Sequence, residues 1–176
     1  MNTIQTFANA VFQGWAVKPD HPALLEPGMH PFDLASIRER CVIAFGASST
    51  RTDLMRGLEY ACDRITAASI YGELWIDGSF VTQKENPSDI DALLVVPHDF
   101  LNSPSSEMQD VFRWLRDGDS KAEIGLDADV VPEFPKSSSM YPLWEENRLY
   151  WMQTFGTGHD EKTEKGIAKI KFFGAI

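Results

Sequence analysis

Apolar positions along the chain fall into alternating helical and strand periods. Ile4, Phe7, Ala8, Val11, Phe12 and Trp15 recur at helical spacing and predict an amphipathic helix at the start. Residues 17–31, VKPDHPALLEPGMHP, hold four prolines and a Pro-Gly pair, which predicts an extended connector rather than regular structure. A helix is expected over 32–45, with either a Ser36/Glu39 capping box or Asp33 as the cap. GASST interrupts it, and Leu54, Leu58, Ala61 and Ile65 then mark one face of a second helix over 52–68.

Two apolar runs follow, Leu74-Trp75-Ile76 and the segment ending in Leu93-Leu94-Val95-Val96, each read as a strand. Beyond them, Ser105-Ser106, the stripe Met108, Val111, Phe112, Leu115 and an Asp-Gly stop predict a third helix. Residues 124–134, IGLDADVVPEF, alternate acidic and apolar positions as a strand. The aromatic-rich stretch 141–155 is expected to be helical, with Leu143, Trp144, Leu149, Tyr150 and Met152 available for burial. Ile167, Ala168, Ile170 and Phe172, interleaved with lysines, predict a closing strand.

One segment breaks its own pattern. In Asp89-Ile90-Asp91 two carboxylates point to one face of a strand that continues into a buried run. Two like charges so close are costly unless protonated, solvated at a strand end or bridged by a cation. A bland alternative places both in a turn, with Asp89 capping the Pro87-Ser88 bend. Upstream, Gly78-Ser79 directly follows a strand and can bring backbone N–H groups close to a phosphate. Nine polar-rich residues separate Ser79 from Asp89, enough to return the second strand beside the first. Asp127 and Asp129 share a strand face and offer a third carboxylate, or else form the wet face of an edge strand ending at Pro132.

Strand, Gly-Ser, short excursion, Asp-x-Asp, strand resembles the signature of the DNA polymerase beta-type nucleotidyltransferase superfamily. Together with SSTRTDLMRGLEYACDRI and FGTGHDEKTEKGIAKIKF, the motif is similar to uncharacterised bacterial nucleotidyltransferase-like proteins over roughly residues 27–173. The resemblance implies an α/β (α+β) fold, a mixed β-sheet flanked by helices, in a domain over 27–176 preceded by a helix and connector at 1–26. It also implies a Mg- or Mn-dependent transfer of a nucleoside monophosphate from a nucleoside triphosphate to a hydroxyl. Asp89, Asp91 and Asp129 would bind the metal, with Asp127 in reserve for the third place. Gly78, Ser79 and Lys165 would contact the nucleotide. Two other classes stay open: a non-catalytic binding or antitoxin-like module on the same fold, and a metal-dependent hydrolase of phosphate esters.

Charge narrows the partners. With 26 acidic and 16 basic side chains the formal charge is −10, which disfavours a long nucleic-acid partner. Lys162 and Lys165 form a small basic group through which a short RNA end or other acceptor could approach, and the N-terminal stripe could serve a protein partner or a homodimer. Arg51 and Arg56 could reach a phosphate. His21 and His30 fit no metal pattern. Cys41 and Cys62 read as buried free thiols. With no long apolar segment or basic leader, a cytoplasmic protein without membrane contact is expected.

Overall fold

The computed structural model describes residues 21–158 and 163–173; the helix expected over residues 4–15, and Lys162, lie outside them. In chain order the elements are β1 (Gly28–Pro31), α1 (Leu34–Cys41), α2 (Arg51–Ala67), β2 (Gly72–Asp77), β3 (Ile90–Pro97), α3 (His98–Asn102), α4 (Ser106–Arg116), α5 (Asp119–Ile124), β4 (Leu126–Glu133), α6 (Tyr141–Phe155) and β5 (Gly166–Phe172). Short 3-10 turns at Ile43–Phe45 and Gly78–Val81 follow α1 and β2.

The five strands form one mixed sheet in the order β1-β5-β2-β3-β4. β2 runs antiparallel to both neighbours, while β1 is parallel to β5 and β4 to β3. Because side chains alternate across a strand, the two sheet faces bury different sets. Leu74, Ile76, Leu94, Val96 and Val130 pack with Ile37, Leu58, Ile65 and Phe112 of the helices α1, α2 and α4. Trp75, Leu93, Val95, Val131 and Ile167 face the other way, under Trp144 and Phe155 of α6. Helices therefore flank both faces of a mixed sheet, the expected fold class.

Local rules account for most boundaries. Asp33, not the Ser36/Glu39 box, caps α1, its carboxylate accepting from the Ser36 N–H at 2.7 Å. α1 stops at Cys41 rather than reaching Phe45, and a 3-10 turn completes the stretch. Ser105 caps α4 through the Met108 N–H. Burial pushes the free thiols of Cys41 and Cys62 up to about 11 and about 12.

The expected connector contains a strand that proline content obscured. β1 lies at the sheet edge, where Pro31 ends the strand and its missing N–H costs least. Residues before it are also tied down: Leu24 N–H donates to Val81 O, Gln83 N–H donates to Pro22 O, and Leu25 is buried. Residues 22–25, in the segment expected to precede the domain, therefore contact its body.

Arg51, the first residue of α2, is completely buried. Its guanidinium has five N–H donors. Nε donates to Glu85 O, Nη1 to Cys41 O and Phe80 O, and Nη2 to Thr82 O and Lys84 O, at 2.6 to 3.3 Å. The Phe45 ring stacks 3.8 Å from its Cζ. Every donor is spent on backbone, so Arg51 is not free to reach a phosphate. Arg56 is exposed and pairs with Asp53.

Arg51→Lys should therefore destabilise the protein by about 3 kcal/mol or more, because a lysine offers one point of donation where the loop needs a planar fork. Urea denaturation measures the loss. A lysine variant as stable as the parent would remove Arg51 from its place as the loop's anchor.

Candidate functional site

Strand register gathers the acids. Asp77 at the end of β2 is the cross-strand partner of Asp91 on β3, and Asp91 in turn is the partner of Asp127 on β4. The three carboxylates form one row on the α6 side of the sheet, with Asp89 just before β3. Asp77, Asp89, Asp91 and Asp127 all line a cleft of about 960 Å³, together with Gly78, Ser79, Lys121 and Lys165.

Asp129, expected as the third carboxylate, stands in the next row. It pairs with Leu93 in register, is exposed, does not line the cleft, and lies 3.6 Å from Arg116. Asp127 occupies the position that Asp129 was expected to fill. Both share a face, so alternation alone could not separate them. Only the pairing with β3 does.

Gly78 fits this arrangement for a steric reason. Its φ is +77°, a backbone conformation in which an L side chain is strained, and a Cβ there would collide with Asp91 Oδ2. The turn thereby brings its backbone against the Asp91 carboxylate. Ser79 follows in the 3-10 turn, whose far end is held by the Thr82 hydroxyl donating to Ser79 O at 2.9 Å.

Charge compensation is uneven. Lys165 Nζ donates to Asp77 Oδ2 at 2.7 Å in a pair whose side chains are 12% and 5% exposed, so this lysine is buried against an acid rather than solvated in a loop. Lys121 Nζ lies 2.5 Å from Asp127 Oδ2 and 3.2 Å from Asp89 Oδ2. Asp91 has no ion-pair or hydrogen-bond partner for its side chain among the described residues. Burial, then the charges of Asp89 and Asp127, push its carboxyl above the usual carboxylate range. Burial also raises Asp77 to about 7, outweighing the opposing pull of Lys165. Asp77 Oδ1 is buried without a hydrogen-bond partner among the described residues.

As the side chains stand, no group of three or more His, Cys, Asp or Glu among the described residues is gathered closely enough to hold a metal ion. The donor set is nevertheless suited to a hard divalent cation, because it offers carboxylate oxygens, one of them orphaned and one carboxylate unpaired. Asp77 and Lys121 were not apparent as site residues from sequence. Asp77 directly follows the run Leu74-Trp75-Ile76, and the structure makes it the last residue of β2, two positions from Trp75 and so on the α6 face. Lys121 carries no sequence signal, since its helix is only six residues long and follows directly on an Asp-Gly stop.

α6 contributes the far wall, with Tyr150 and Gln153 among the residues bordering the cleft. Of its apolar residues Trp144 and Phe155 are buried, whereas Leu143, Leu149 and Tyr150 are 55%, 57% and 60% exposed, contrary to the burial expected for them. One helix laid over a few sheet residues buries only a narrow stripe of its surface.

Fold and cleft define an α/β protein with a carboxylate row at the edge of a glycine turn. The chain belongs to the family described as "Family of unknown function (DUF6932)", which matches residues 18–171. No curated protein and no solved structure matches it. The likeness to nucleotidyltransferases therefore rests on the chain's own residues. Among the described residues no helix is long and apolar enough to cross a membrane.

Asp77 gives a pH-dependent expectation. Its folded pKa of about 7 exceeds the ordinary 3.8, so the native state holds a proton that the unfolded state releases between those values. Its contribution to stability is present below pH 4 and is lost as pH rises through 7. Relative to Asp77→Asn, the parent should lose on the order of a few kcal/mol between pH 4 and 8, read from urea denaturation across that range. A difference independent of pH would mean that Asp77 ionises normally beside Lys165.

Proposed function

We propose that the protein is a metal-dependent nucleotidyltransferase, moving a nucleoside monophosphate from a nucleoside triphosphate to a hydroxyl of a protein, a small molecule or a short RNA. The observation that carries this reading is the convergence of Asp89, Asp91 and Asp127 beside Gly78-Ser79 in a single cleft. Clustered carboxylates with one member uncompensated call for a cation. Asp89, Asp91 and Asp127 would hold Mg or Mn. When bound, the metal would neutralise charge on the attacking and leaving oxygens of an in-line displacement.

The remaining roles belong to the chain. Gly78 and Ser79 offer backbone N–H groups and a hydroxyl to the triphosphate, in a turn whose close approach a side chain at position 78 would obstruct. Lys165 stands at the same end of the cleft and can add positive charge there if it leaves Asp77. An acceptor approaching a protein of charge −10 is better supplied by a protein or small molecule than by a long polynucleotide. A protein partner or homodimer contact through the N-terminal stripe and a cytoplasmic setting belong to the same proposal.

A second reading has its own support. Lys121 and Lys165 already contact three of the four carboxylates, a partial compensation that a non-catalytic binding or antitoxin-like module could also use. Thermal denaturation with Mg or Mn and each of ATP, CTP, GTP and UTP tests both. At about 100 times Kd a ligand adds about 2.7 kcal/mol, or a Tm rise of about 5 to 10 °C for a chain of this size. Asp91→Ala should abolish the rise and Asp129→Ala should leave it. Transfer of label from the nucleotide to an acceptor supports the enzyme; stabilisation without transfer supports the module. An unmoved Tm with every nucleotide and metal would defeat the nucleotidyltransferase reading.

A further inference from the structure

We propose that Lys121 is an internal counter-ion, seated where a divalent cation would bind the carboxylate row and displaced when that cation arrives. This rests on the reading above that the row takes a divalent cation. Lys121 Nζ is the positive charge between Asp89 and Asp127, 3.2 and 2.5 Å from their oxygens. It joins two carboxylates on separate segments of chain, the geometry a bridging ion would adopt. Yet it leaves the row incompletely served, because among the described residues the Asp91 carboxylate has no hydrogen-bond or ion-pair partner and Asp77 Oδ1, in a residue 3% exposed and lining the cleft, accepts no hydrogen bond.

The mount of this lysine suits displacement. α5 is bounded by Gly118 and Gly125, both left-handed, with φ of 84° and 73°. Its body is fixed: the buried Ser120 hydroxyl donates to Leu126 O at 2.7 Å, and a side chain at Gly57 would collide with Ile124. The Lys121 side chain is by contrast 47% exposed. It can swing into solvent without moving the helix that carries it. A half-exposed ammonium pair contributes little to stability, so a divalent ion meeting several carboxylates at once can replace it.

Metal affinity is then set partly by a residue that never touches the metal. Calorimetric titration with Mn, in the absence of nucleotide, should show Lys121→Met binding about tenfold tighter or more, since both a competitor and a like charge are gone. Lys121→Arg should restore the weaker affinity of the parent. A measurement on the unaltered protein makes the same test. Acetylation of Lys121, followed by mass spectrometry, should accelerate when Mg or Mn is added, while acetylation of exposed Lys136 stays constant. Equal Mn affinity in the parent and Lys121→Met, with Lys121 acetylation unchanged by metal, would overturn the counter-ion role and leave the metal site standing. Absence of Mn binding in both proteins would overturn the two together.

Discussion

Arg51 ties the loop of residues 80–85 and the end of α1 to the start of α2. A guanidinium buried without a carboxylate partner is costly, and what offsets the cost is full use of its donors on backbone carbonyls. Four of the five acceptors belong to residues 80–85, the excursion between the Gly-Ser turn and the Asp-x-Asp strand. The fifth is Cys41 at the end of α1. Asn86 continues the attachment by accepting from the Ser49 N–H at 2.8 Å ahead of α2. The loop between two strands of the site is thereby held to the helical layer beneath, and Asp89 enters β3 from a defined position.

On that frame the acids meet through sheet register. Placing Asp77, Asp91 and Asp127 in one row across three neighbouring strands contradicts strand propensity and simple electrostatics alike. Nothing in core packing calls for it, since in the next row Trp75 and Leu93 are apolar and closed by α6, and the only acid there, Asp129, is exposed at its β4 end. A local conflict that a fold sustains in this way belongs to function more often than to stability. Lys165 and Lys121 relieve it only in part, one from within the core and one from the surface.

The two lysines differ in a way that follows from their surroundings. Lys165 lies between a buried acid and β5, with its backbone N–H donating to Gly156 O at 2.9 Å, so the end of α6, the closing strand and the acid row are joined at one point. Lys121 sits on a six-residue helix at the rim, where solvent reaches its side chain. A buried pair resists change because breaking it strands a charge, whereas an exposed pair is exchangeable.

Much of this was determined by the sequence alone. Period-two and helical patterns specify all the major strands and the long helices, because a segment must bury its own apolar face whatever its neighbours are. Gly78-Ser79 and Asp89-Ile90-Asp91 stand out as a candidate site for a similar reason: their residues violate the pattern around them. What tertiary structure decided was pairing. Asp127 and Asp129 are equivalent by alternation, and only the register of β4 against β3 puts the first beside Asp91 and the second beside Leu93. Arg51 reads as a surface residue until the loop closes over it, and Lys121 acquires meaning only when α5 is set above Asp89 and Asp127. Local sequence fixes which way a side chain points along its own element, but which group it meets depends on contacts between segments distant in the chain.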